Sequence, residues 1–261
     1  MNRNRVLRSI ARTFRGDPRM RLQRKIFREA KRLFMVHQPG FPSMVHFPDG
    51  FGIRLPERVV EIALAYYTYT PGAHVLDVGH SNIMDCHRLF LRSLEPPHHL
   101  TGLDIAVPTY DSGEFYERSI KADIISTNLP AESFDLIWCI STIEHVGMDN
   151  SGYTQTFAAG EGMDLIAIRE MERLLRPGGK LLVTVPFGAF EDHGWLKNYD
   201  IKSWKDLLSA LSPTSMVHES YFKYSSSVGW QPAKPSDLSS TRYYDHDNAG
   251  SSGLAAAIVT R

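Results

Sequence analysis

The stretch "HVLDVGHSN", residues 74–82, decides how this chain is read. Val75, Leu76 and Val78 make a short apolar run around Asp77, and Gly79 ends it in a turn. A strand running into a glycine turn opens a nucleotide-binding loop, because a missing Cβ lets backbone approach a ligand. The rest of the glycine fingerprint is absent: Ser81 and Ile83 stand where two more glycines are expected. The stretch is a cofactor loop with a reduced glycine set, or only a strand and a turn. The segments around it separate the two.

Outward from this stretch, strand and helix signals alternate. "CHRLFLRSL" places Cys86, Leu89, Phe90 and Leu94 at helical spacing. "HLTGLDIA" is a second strand ending at Asp104, and "SIKADI" is a short third. "FDLIWCIST" is a continuous apolar run, typical of a parallel strand covered on both faces. A helix over Met163–Arg176 has Asp164 at its start, a Leu165, Ile168, Met171 and Leu175 stripe, and a Pro177-Gly178-Gly179 stop. "KLLVTVPFG" is a fifth strand and "SWKDLLSAL" a helix; "VHESYFKYS" and "GLAAAIVTR" are the last two strands. Upstream, Pro56 opens a helix with Val59, Ile62, Ala63 and Tyr66 on one face. This rhythm predicts an α/β fold with a doubly wound, mostly parallel sheet and helices on both faces. Such sheets bind ligands at the carboxyl ends of their strands, where strand order reverses.

Polar groups stand at five consecutive strand ends: Asp77 and Gly79, Asp104, Asp123, Ser141-Thr142 before Glu144-His145, and Pro186 before Glu191-Asp192-His193. A carboxylate such as Asp104 can accept from both hydroxyls of a ribose, and Asp123 from an exocyclic amine. The series "VLDVGHSN", "LDIA", "KADI", "FDLIWCISTIEHV" and "REMERLLRPGGKLLVTVPFG" resembles class I S-adenosylmethionine-dependent methyltransferases over about residues 56–190. The resemblance implies a seven-stranded Rossmann-like methyltransferase sheet, S-adenosylmethionine as cofactor and S-adenosylhomocysteine as product. It implies that Asp77, Gly79, Ser81, Asp104, Ile105, Asp123, Ile124 and Ser141 bind the cofactor: Gly79 lines the methionine part, Asp104 holds the ribose, Asp123-Ile124 hold the adenine and Ser141 sits near the reacting end, while Ser81 either donates its hydroxyl to the cofactor carboxylate or only substitutes for a small residue. The blander reading leaves these acids as strand-end caps.

Methyl transfer to a hydroxyl benefits from a base, and histidine suits neutral pH. His193 is the first candidate, with Asp192 to orient it, and His145 the second; His80 is expected to pack against the cofactor. Residues 148–164 and 226–252 are expected to form substrate loops, the second bringing Trp230, Tyr243 and Tyr244 beside Asp245-His246-Asp247. That Asp-His-Asp run could also be read as a metal site, but adjacent residues alternate in direction, so no metal is expected. Similarity to bacterial polysaccharide and sugar O-methyltransferases, in "STIEHVG" and "LLVTVPFG", implies a glycoconjugate or other small-molecule hydroxyl as acceptor. A catalytically silent scaffold and a nucleic-acid methyltransferase are the alternatives. The chain lacks the Pro-Pro-Tyr and Pro-Cys motifs of two nucleic-acid enzyme classes.

The 29 basic and 29 acidic residues balance, yet residues 1–35 hold 12 Lys/Arg against only Asp17 and Glu29. Leu7, Ile10 and Phe14, then Leu22, Ile26, Ala30 and Leu33, recur at helical spacing, with Gly16-Asp17-Pro18 as the break. Residues 1–55 thus read as a basic helical arm and connector, and residues 56–261 as the methyltransferase domain. The arm would pack on the body, join two copies, or meet an anionic surface. The body is acidic, which disfavours nucleic acid. Cys86 and Cys139 are too few for a disulfide framework, no apolar run spans a bilayer, and a signal peptide is not evident. A cytoplasmic location, peripheral at the inner membrane, is the expectation.

Overall fold

The computed structural model describes residues 17–37, 41, 42, 44, 46–96, 98–155, 157–246 and 250–261. The helix expected from Leu7, Ile10 and Phe14 lies outside them.

The strands are β1 (His74–Val78), β2 (His99–Asp104), β3 (Arg118–Lys121), β4 (Phe134–Ile140), β5 (Leu175–Pro186), β6 (Glu191–Asp192), β7 (Lys197–Asn198), β8 (Met216–Ser225), β9 (Gly229–Pro232) and β10 (Gly253–Thr260). The helices are α1 (Pro18–His37), α2 (Arg58–Thr68), α3 (Asp85–Arg92), α4 (Met163–Leu174) and α5 (Ile201–Ser209). Eight strands form one sheet in the order β3-β2-β1-β4-β5-β10-β8-β9, and β6-β7 is a separate hairpin. β1 pairs in parallel with both β2 and β4, so the chain order reverses beside it. β10 runs antiparallel to β5 and β8. The expected doubly wound, mostly parallel architecture is present with eight strands rather than seven.

The extra strand, β9, comes from the segment expected to be a loop. Its Trp230 is fully buried and donates its indole N–H to the Leu55 carbonyl at 2.9 Å, so it belongs to the core. A second difference lies at the end of α4. The helix stops at Leu174, and Arg176-Pro177-Gly178-Gly179 form the irregular start of β5, with a register shift opposite Phe134 and Leu136. The glycines admit this kink, Gly178 at φ +78°.

Alternation along the central strands splits the core between two faces. Val75, Leu100, Leu136, Trp138 and Leu182 point to the side covered by α1, α2 and α3. Leu76, Val78, Ile137, Cys139 and Val183 point to the side covered by α4 and α5. Each such side chain contributes roughly 1.5–3 kcal/mol when fully buried, which fixes strand register, since a one-residue slip would exchange the faces. α1 is part of this core: Ile26, Ala30 and Leu33 are buried and Phe34 stacks on Tyr66. The Gln23 side chain accepts from the Cys86 N–H at 3.0 Å and ties α1 to the start of α3.

Candidate active site

The loop after β1 is fixed by its own neighbours. Gly79 has φ +89°, its N–H donates to the Leu103 carbonyl at 2.9 Å, and a Cβ there would strike the Thr142 hydroxyl and lie 2.6 Å from its methyl. Glycine is thus required by Thr142, on the neighbouring strand end, as well as by any ligand. Ser81 lies in a 3₁₀ turn over His80–Asn82, and Ile83 is extended at φ −65° and ψ 141°. These conformations suit any L-residue, so neither position needs a glycine. The Ser81 N–H donates to Asp104 Oδ2 at 2.8 Å, linking the loop to the end of β2.

A cavity of about 280 Å³ opens at this edge of the sheet, at the reversal point between β1 and β4. Of the residues expected from the sequence, Asp77, Gly79, Ser81, Asp104, Ile105, Asp123, Ile124, Ser141 and His145 all line it. Asp77 accepts from the Tyr116 hydroxyl at 2.6 Å and lies 3.1 Å from His87 Nε2. Asp104 Oδ1 also accepts from the Ala106 N–H at 2.9 Å, and Asp123 accepts from the Ile125 N–H at 3.1 Å. The strand-end capping reading is therefore true of these acids, and each still faces the cavity. His80 differs from expectation. Its ring is fully buried over Gly102, 3.1 Å from Ser119 Oγ, and is not among the residues lining the cavity.

Sequence reasoning missed the cation of the site. α2 precedes β1 and runs back along the sheet, which brings Arg58 at its N-terminus to the cavity wall. Arg58 Nη1 donates to Glu61 Oε2 at 3.0 Å. Glu61 Oε1 accepts from the Ser141 and Thr184 hydroxyls, each at 2.6 Å. Ser141 is held in the left-handed region at φ +42°, with its N–H donating to Thr184. Such strain persists where the surroundings over-determine it. Two further acids crowd this hub. Burial, with Glu61 nearby, pushes the Glu57 carboxyl up to about 7 and the Glu144 carboxyl up to about 8. Burial works against the charge on Arg58, yet Glu61 and then Glu57 hold its guanidinium above the usual value.

The lip is aromatic. Tyr153 and Phe157, from the 148–164 insertion, line the cavity with Trp195 and Tyr243. The Asn150 amide donates to the His145 carbonyl at 2.9 Å, and Asp164 accepts from Lys197 and Tyr199, pinning the β6–β7 hairpin that carries Trp195. His145 Nδ1 lies 2.8 Å from the Trp195 carbonyl. A carbonyl only accepts, so Nδ1 carries the proton and Nε2 the lone pair. Burial lowers this imidazole below the usual histidine value, against the opposing pull of the Trp195 carbonyl. His193 is placed differently from the first expectation: it packs between Tyr243 and Tyr244, ring centroids at 5.5 and 5.6 Å, and neither it nor Asp192 lines the cavity. The carboxylate beside it is Glu191, at 3.7 Å, while Asp192 accepts from the Gly194 N–H. His246 is buried with Nε2 2.8 Å from the Leu55 carbonyl, and Asp247 lies outside the described residues.

Residues 76–183 match the model of a family described as a methyltransferase domain. The fold is similar to that of the 1,6-didemethyltoxoflavin-N1-methyltransferase of Burkholderia thailandensis, solved with 1,6-didemethyltoxoflavin and S-adenosylhomocysteine bound. The two share 14% identity over 77% of this chain and 76% of that one, with a TM-score of 0.50. It is also similar to the [4+2]-cyclase SpnF, at 16% identity over 77% and 79% of the two chains and a TM-score of 0.51. A search of curated protein sequences finds no match. At these identities the solved structures speak for the fold, and the family match speaks for the activity. By that match, and by a strand order that puts the ends of β1, β2, β3 and β4 around one cavity, the chain carries an S-adenosylmethionine-dependent methyltransferase domain of the class I fold.

Proposed function

We propose that this methyltransferase acts on a hydroxyl of a sugar, glycoconjugate or other small molecule, with His145 as the general base. The residues present fit the cofactor. Ile105, Ile124 and Val146 offer apolar walls for a nucleobase, with Asp123 beside them. Asp104 would accept from the ribose hydroxyls. Gly79 and Ser81 would flank the methionine part, and the Arg58 guanidinium would face its carboxylate. The cofactor supplies a sulfonium methyl, which is electrophilic.

This chain's residues would supply alignment and a base. The cavity, at about 280 Å³, falls just below the roughly 300–1,000 Å³ typical of ligand sites. The cofactor would take that space, and the acceptor would be met at the aromatic lip. Trp195 and Tyr243 would pack against the acceptor ring. His145 Nε2 would take the hydroxyl proton as the oxygen attacks, and the resulting imidazolium would stay bonded to the Trp195 carbonyl through Nδ1. The single observation that carries this reading is the His145–Trp195 hydrogen bond, which sets the basic tautomer at the cavity wall.

The test is His145→Asn, assayed for methylated product against a panel of hydroxylated acceptors. Turnover should fall by roughly 10²–10⁴, the usual worth of a general base, with S-adenosylhomocysteine affinity unchanged. Wild-type kcat/KM should rise with pH through a pKa below the ordinary histidine value. Equal turnover by the variant would refute the assignment and return His193 to first place.

A further inference from the structure

We infer that the outward face of α1 docks on an anionic phospholipid surface. Between Arg19 and Arg32 the helix carries seven Lys/Arg against one acid, Glu29. At 3.6 residues per turn, Arg21, Lys25, Arg28 and Arg32 share a sector roughly 60° wide. All four are exposed, and they lie opposite Ile26, Ala30 and Leu33, which are buried against the body. The row runs about 16 Å along the helix at 1.5 Å per residue.

This arrangement works against the helix itself. Asp17 caps its start by accepting from the Arg19 N–H at 2.9 Å, but the first turn itself holds no acid, and Arg19 and Arg21 sit at the positive end of the dipole. Arg21–Lys25, Arg24–Arg28 and Arg28–Arg32 are like charges four residues apart, a destabilising spacing. The exposed Arg32–Glu29 pair, at 3.0 Å, offsets one charge of the row. An exposed row of cations that costs the helix stability is matched by an anionic partner.

Apolar residues select the kind of partner. Met35 and Val36, at the end of the same helix, are 63% and 68% exposed. A bilayer offers phosphates to the cations and acyl chains to these two side chains, whereas a nucleic-acid duplex offers phosphates to the cations but no acyl layer. The rest of the chain gives orientation. Residues 36–261 hold 17 Lys/Arg against 27 Asp/Glu, so an anionic surface attracts this face and repels the others.

The test is co-sedimentation of the full chain with vesicles of phosphatidylcholine alone, or of phosphatidylcholine with phosphatidylglycerol. Binding is expected only to the anionic vesicles, weakening as salt rises. Lys25→Gln/Arg28→Gln/Arg32→Gln should reduce the partition coefficient by about 100-fold. Met35→Ser/Val36→Ser should weaken vesicle binding and leave any binding to duplex DNA unchanged. All five positions are exposed, so these variants should keep the wild-type circular dichroism spectrum. No vesicle binding, or equal binding to both compositions, would overturn the inference. Binding unchanged in the triple variant would shift it to residues 1–16, with their five Arg. Tighter binding to duplex DNA than to anionic vesicles would give the face to nucleic acid.

Discussion

Gly79→Ala tests what the glycine of the first loop is for. Two costs can be worked from the structure. An alanine at φ +89° sits in the left-handed region, at about 1–2 kcal/mol. Its Cβ would also overlap the Thr142 side chain, an overpacking cost of typically 1–3 kcal/mol. The single variant should therefore lose roughly 2–5 kcal/mol. Thr142→Ala alone removes hydroxyl bonds to the Val78 and Ile140 carbonyls, at about 1 kcal/mol. The double variant relieves the overlap with the Thr142 hydroxyl and methyl, keeps a tight Cβ contact at 3.0 Å and keeps the dihedral cost, so it should be about 1–3 kcal/mol more stable than the sum of the singles. Urea unfolding of the four proteins measures this, provided that the slope with denaturant is constant across the set. Additivity within about 0.5 kcal/mol would refute the steric argument and leave ligand approach as the reason for the glycine. S-adenosylhomocysteine titration of the double variant then separates the roles, because a glycine needed only by Thr142 leaves affinity unchanged.

Other outcomes follow from the buried charges. Glu144 is pushed from 4.5 up to about 8, so the folded state keeps a proton that the unfolded chain has lost. Stability should fall by up to ~1.4 kcal/mol per pH unit across that window and level off above it. Glu144→Gln should reduce the slope by one proton's worth, leaving the part due to Glu57; an unchanged slope in urea unfolding from pH 5 to 9 would contradict the assignment. Arg58→Met strips Glu61 of its cation and should cost roughly 3 kcal/mol, as breaking a buried pair does. Arg58→Met/Glu61→Gln, which removes the unpaired charge and keeps an oxygen for the Ser141 and Thr184 hydroxyls, should recover most of that stability while cofactor affinity stays low; recovery of both would remove Arg58 from the ligand's surroundings.

The centre of the sheet was legible because β1, β4, β5 and β10 are buried on both faces and read as largely apolar runs, "FDLIWCI" above all. The strand-end acids were legible for a related reason: a polar residue at or near the end of an apolar run falls at the sheet edge, and Asp77, Asp104 and Asp123 do line the cavity. What escaped depends on contacts distant in sequence. Arg58 looks like a surface cation at a helix start until Glu61 is seen bonded to Ser141 and Thr184. His193 and His145 both follow strand ends, and only tertiary packing separates them: one is enclosed by Tyr243 and Tyr244, the other is bonded to the Trp195 carbonyl. Trp230 read as a ligand aromatic because nothing local reveals that Leu55 accepts its indole N–H.

The central claim is that the cavity at the β1–β4 reversal holds S-adenosylmethionine with Asp104 on the ribose. Isothermal titration of S-adenosylhomocysteine into the wild type and Asp104→Ala tests it most directly, with thermal melts to confirm that both are folded. Two charge-assisted hydrogen bonds of about 1.5 kcal/mol each make the predicted loss roughly 100-fold in Kd. Equal affinity in a folded Asp104→Ala protein, or no binding by the wild type, would contradict the account.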